Sequence, residues 1–93
     1  MHLQVHDGGK MASFDGLVLE VSGLSGSATS KRLAIEAIDS VTVAEAGSEL
    51  MFVVKSRKGG FGLMISIDKK LVWEDLAKAV NSAIALLAQK QGI

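Results

Sequence analysis

In several short segments before about residue 68 apolar and polar residues alternate, and from there the pattern changes to a helical period. In the run Leu17–Val21, Leu17, Leu19 and Val21 fall on one side and Val18 and Glu20 on the other, the period of a half-buried strand. Asp15-Gly16 before it is a tight-turn signal, and Phe14 beyond that turn predicts a partner strand over about Lys10–Phe14. Leu3 and Val5 between His2, Gln4 and His6 make a weaker first strand, ended by Asp7-Gly8-Gly9; the competing expectation for residues 1–9 is a frayed terminus. The stretch Ser22–Ser30 is small, polar and glycine-bearing and reads as an exposed loop. Lys31–Ile35 resumes the strand pattern with Leu33 and Ile35 inward, and Glu36, Ala37 and Ile38 form a single turn before Asp39-Ser40. Val41 and Val43 alternate with Thr42 and Ala44, and Gly47-Ser48 turns the chain into Leu50–Lys55.

Leu50 to Val54 are all apolar, the mark of a strand covered on both faces. Lys58-Gly59-Gly60 is a hairpin signal, and the strand after it sets Phe61, Leu63, Ile65 and Ile67 on one face with Gly62, Met64 and Ser66 opposite. Asp68 then stands where a helix cap belongs. Val72, Leu76, Ala79, Val80, Ala83, Ile84 and Leu87 recur at spacings of three and four, predicting one helix from about Lys69 to about Lys90 with Leu76, Val80, Ile84 and Leu87 facing the interior. The fold class expected is therefore mainly β. It is a strongly bent, barrel-like antiparallel sheet of about seven strands capped by one C-terminal α-helix, all within a single domain over residues 1–93.

Composition narrows the function classes. A chain of 93 residues with 48% hydrophobic and 22% charged residues can form a packed core and is apolar enough to expect a partner subunit. Ten basic and ten acidic residues cancel, which disfavours nucleic-acid binding and strong attachment to anionic membranes. The absence of cysteine removes disulfides, thiolate nucleophiles and cysteine-ligated metals. The first ten residues lack the basic start and apolar run of a signal peptide, so a cytoplasmic protein is expected.

Three stretches carry a family resemblance. Ser13-Phe14-Asp15-Gly16-Leu17-Val18-Leu19, then Lys31-Arg32-Leu33-Ala34-Ile35-Glu36-Ala37-Ile38-Asp39-Ser40-Val41, and the helix opening Trp73-Glu74-Asp75-Leu76 look like bacterial pleckstrin-homology-like (PH-like) domains of uncharacterised function. The resemblance covers most of the chain from about Lys10 onward. It implies a bent barrel closed by its terminal helix, used as a binding module for phosphoinositides, peptides or sister subunits. The hairpin at Asp15-Gly16 lacks the basic cluster of the lipid-binding members.

Several residues are candidates for chemistry. Lys55, Arg57 and Lys58 approach one glycine turn and Lys31-Arg32 open another strand, so these five are the candidate site for an anionic lipid or a phosphorylated ligand. His2, His6 and Asp7 invite a metal reading, but positions four apart on a strand stand about 13 Å from each other, too far to share one ion, and no metal site is expected. No serine has a histidine and a carboxylate at a triad spacing, so no catalytic residue is named and no enzyme is expected. The loop Gly23–Lys31 lacks the glycine before its lysine, and the following helix, that a phosphate cradle needs, and no cofactor is expected. Trp73 is a packing residue at the barrel mouth or against a neighbour.

The leading expectation is a non-enzymatic module for self-association, as a homo-oligomer, or for a protein partner. Its interface candidates are Leu50, Phe52, Val54, Met64 and Trp73, with whichever row of the doubly apolar strand points outward lying between subunits. The alternative is anionic-ligand binding through the five basic residues.

Overall fold

The computed structural model describes residues 2–24, 29–57 and 59–91. In chain order the elements are β1 (Leu3–Asp7), β2 (Lys10–Phe14), β3 (Val18–Leu24), β4 (Thr29–Ala34), a 3-10 turn (Ile35–Ala37), β5 (Ile38–Ala46), β6 (Glu49–Ser56), β7 (Gly59–Ile65), a second 3-10 turn (Ile67–Lys69) and α1 (Lys70–Gln91). The protein is mainly β, with antiparallel sheets ordered β1-β2-β3-β4 and β5-β6-β7 and one C-terminal helix. The sheets are not closed into a barrel. The 3-10 turn at Ile35–Ala37 is where the strand ladder stops and the chain passes from one sheet to the other.

Inward rows of both sheets and one stripe of α1 share a core. Val5, Ala12, Phe14, Leu19 and Val21 come from the first sheet, Val41, Leu50, Phe52, Val54, Leu63 and Ile65 from the second, and Trp73, Leu76, Ala77 and Val80 from the helix. The rings of Phe52 and Trp73 lie 4.9 Å apart, tilted by 50°. Burying each Leu- or Phe-sized side chain contributes about 2 kcal/mol, whereas the exposed Lys70–Glu45 ion pair at 3.6 Å is of a kind that contributes about 0–1 kcal/mol. The apolar stripe therefore docks the helix.

Several expectations change here. Leu3–Asp7 form a strand instead of a frayed segment: β1 pairs with β2, and Val5 and Asp7 both find buried surroundings. Leu17 is exposed and precedes β3; the Asp15 carboxylate accepts its N–H and that of Val18 and holds a turn there. The expected loop Ser22–Ser30 is shorter, since Ser22–Leu24 and Thr29–Ser30 continue β3 and β4, and residues 25–28 lie outside the described residues. Ile67 is exposed rather than part of the inward face of β7, because the backbone leaves the strand for the 3-10 turn that also holds Asp68, so Asp68 is not the cap of α1. On α1, Val72 is exposed and Trp73 and Ala77 occupy the inward stripe beside Leu76 and Val80, with Ile84 and Leu87 partly buried. Gly47, at φ 67, opens the two-residue turn between β5 and β6, as a type II′ hairpin requires.

One buried charge ties these parts together. Asp7 ends β1 with 7% exposure. Its carboxylate accepts the Ser66 N–H at 2.8 Å, the Ser66 hydroxyl at 2.7 Å and Trp73 Nε1–H at 3.1 Å. Lys10, its cross-strand neighbour, donates from Nζ to the Met64 carbonyl. Burial pushes the Asp7 carboxyl up, but the Ser66 and Trp73 donors together with the Lys10 charge outweigh it and hold the group below the ordinary aspartate value of 3.8. A group depressed in the folded state stabilises the fold above its unfolded value and loses that contribution as pH falls through the folded value. Asp7→Asn should therefore flatten the loss of stability below pH 3.8 relative to wild type, with Asp15 supplying the remaining slope. Asp7→Ala strands the buried Trp73 donor and should cost about 2 kcal/mol, roughly 10 °C in Tm for a domain this size, with a shift in Trp73 fluorescence. Thermal melts across pH check both.

Candidate functional site

β5 is the edge strand of its sheet, and α1 packs alongside it. The Val41 N–H donates to Asn81 Oδ1 at 3.0 Å and Asn81 Nδ2 donates to the Val41 carbonyl at 2.7 Å. Those two backbone groups therefore point away from β6. Because ladder groups alternate sides along a strand, the N–H and C=O of Val43 and Glu45 also face the open edge, while those of Thr42 and Ala44 face Val53 and Met51 of β6. The Gly47-Ser48 turn agrees, since a two-residue hairpin closes on a bonded pair, here Ala46 and Glu49.

Between this edge and α1 lies a groove of about 400 Å³ lined by Val41, Thr42 and Val43 on one wall and Leu71, Glu74, Asp75, Ala77, Lys78 and Asn81 on the other. Leu71 is 75% exposed and Ile67, before the helix, 61%, so apolar surface gathers at the end where the edge is unpaired. Along the helix wall two carboxylates, Glu74 and Asp75, stand against one ammonium, Lys78. Unsatisfied strand groups beside apolar surface are the chemistry that takes up a further strand.

The candidate residues named from sequence are not brought together. Lys31 lies on the inward-facing row of β4, its Nζ 5.3 Å from the Phe61 ring centre, whereas Arg32 is on the opposite face in a recess with His2, Asp15 and Glu20. Lys55 is exposed on the outer face of the second sheet, and Arg57 shares a recess of about 460 Å³ with Glu36 and Asp39. Lys58 lies outside the described residues. The four described cations thus occupy separate surfaces, and carboxylates already neighbour two of them.

The interface candidates also divide. Leu50, Phe52, Val54 and Trp73 are 0–3% exposed within the one chain and are core, not contact surface. The ladder explains this, because Leu50, Phe52 and Val54 pair with the inward residues Ile65, Leu63 and Phe61 of β7. Met64 is exposed and lies on the outward row with half-buried Met51, whose methyl folds over Gly62, and half-buried Val53. His6 points outward from β1 and Asp7 inward, which separates the trio His2, His6 and Asp7. Among the described residues no cluster of three metal-ligating side chains occurs, and no helix is long and apolar enough to cross a membrane.

Asn81 and Leu71 were not candidates from sequence. Asparagine is a poor residue for a helix interior, and its place between Val80 and Ala83 near the apolar stripe was the one available signal. No protein-family profile matches the chain, and the comparison with curated proteins finds no match.

Two proline substitutions test the assignment of the edge. Val43→Pro removes an N–H that faces outward and should leave the circular dichroism and a cooperative melt intact, as proline is tolerated on an open edge. Thr42→Pro removes an N–H that bonds to β6 and should destabilise the fold by about 1–3 kcal/mol or more. Denaturant titration of the two variants reads the difference.

Proposed function

We propose that the chain is a non-enzymatic interaction module of PH-like fold that takes up an extended segment of a protein partner along the edge of β5. The observation that carries this reading is the pair of outward-facing backbone groups at Val43 and Glu45 beside the exposed Leu71, in a groove walled by α1. The order of β1–β7 followed by one terminal helix is also in keeping with the PH-like resemblance, which expects about seven strands and then a helix, and this supports the fold part of the proposal.

The position of α1 bears on the partner. The Asn81 carboxamide reaches the edge of β5 directly, so the helix runs beside that edge. The groove of about 400 Å³ between edge and helix is of a size for a few residues of one extended segment, whereas a second copy's β5 would bring its own β6 along with it. A single segment of another protein is the better occupant than a sheet-to-sheet homodimer. Binding of an anionic ligand by the basic residues has less support, because Lys31, Arg32, Lys55 and Arg57 do not converge.

Selection of random linear peptides against the immobilised chain, followed by amide chemical-shift mapping, tests the proposal. Selected peptides should perturb Val43, Glu45, Leu71 and Lys78, and Val43→Pro should weaken their binding by about tenfold, the loss of one backbone hydrogen bond. Peptides that instead map to Met51, Val53 and Met64, or a selection that yields no binders, would contradict it.

A further inference from the structure

A carboxamide offers the same donor and acceptor as a peptide group. Asn81 presents both to Val41, at 3.0 and 2.7 Å, in the way that a residue of an adjoining strand would. Resting on the strand-capture reading, we propose that Asn81 is a built-in stand-in for a peptide group of the partner, which satisfies the edge at Val41 in the free protein and is displaced when the segment binds.

Three observations support this. Val41, Val43 and Glu45 present backbone groups to the same edge at every second residue, so a segment paired with Val43 and Glu45 meets Val41 next in register. Asn81 already occupies that position. It is also only half-buried and lines the groove, so its side chain can turn away without opening the core formed by Trp73, Leu76, Ala77 and Val80. The cost of leaving an edge unpaired explains the arrangement, because a bare donor and acceptor there would invite indiscriminate pairing. The helix wall specifies the occupant's chemistry. Leu71 and Ala77 accept apolar side chains, and Glu74 and Asp75 against Lys78 favour a basic one. The class of partner is thus an extended segment in which apolar and basic residues alternate.

The probe is an acetylated, amidated peptide alternating valine and lysine, titrated into wild-type protein and Asn81→Leu, which removes the carboxamide at nearly constant size. Asn81→Leu should bind it about tenfold more tightly, because no internal hydrogen bonds must be given up. In wild type the Asn81 side-chain NH2 resonances should move to free-carboxamide positions as peptide is added; this readout decides alone if Asn81→Leu does not fold. Equal or weaker binding by Asn81→Leu, or unmoved Asn81 resonances while the peptide still maps to Val43 and Glu45, overturns the displacement and leaves strand capture standing. Binding to neither protein, or binding away from β5, overturns both.

Discussion

Trp73 sits at the centre of the core with its indole N–H buried, and a buried donor must find an acceptor or cost the fold more than a typical hydrogen bond contributes. The Asp7 carboxylate supplies that acceptor and takes two more hydrogen bonds from Ser66. In doing so it joins the end of β1, the segment leaving β7 and the first half of α1. The apolar stripe alone would let the helix slide over Phe52, Val54 and their neighbours, since burial is non-directional. The directional bonds to Asp7 set its position, and Lys10 adds a second link from β2 to the end of β7.

A second polar contact sets the direction of the helix from that anchor. Asn81 lies eight residues beyond Trp73 and reaches the backbone of Val41, so α1 is held at two points and runs beside β5 instead of over the middle of either sheet. The sheet edges follow from the same geometry. With no ladder between the sheets, β5 keeps an edge, and among the described residues the hydrogen bonds to that edge come from Asn81 at Val41. The groove and the exposed Leu71 lie beside the part that is not.

Much of the architecture was legible because it depends on local pattern. The turns at Asp15-Gly16 and Gly47-Ser48, the alternation through Phe61, Leu63 and Ile65, and the helical period through Leu76 and Val80 all point to the elements that form. What was not legible depends on which residues meet across the chain. Leu50 to Val54 show two apolar rows, and nothing local says that Phe52 meets Trp73 while Val53 faces outward. Asp7 follows a histidine-bearing segment near the chain start and resembles a terminal charge; its role appears only when Ser66 and Trp73 arrive from about sixty residues away. The five basic residues are grouped in sequence, but strand alternation sends Lys31 and Arg32 to opposite faces. The groove was invisible for the same reason, as its two walls come from β5 and from a helix flank about thirty residues further on.

Strand capture at this edge requires that some backbone groups of β5 be satisfied and others open. Val41 is closed by Asn81, Thr42 and Ala44 by β6, and the outward groups of Val43 and Glu45 meet no hydrogen-bond partner among the described residues. Residue-resolved amide hydrogen exchange on the wild-type protein reads this directly. The predicted result is slow exchange at Val41, Thr42 and Ala44 and fast exchange at Val43 and Glu45. Slow exchange at all five would mean that the edge is already covered, and fast exchange at Thr42 and Ala44 with Val41, Val43 and Glu45 slow would mean that the strand's alternation is the reverse of the one described; either result would contradict the account.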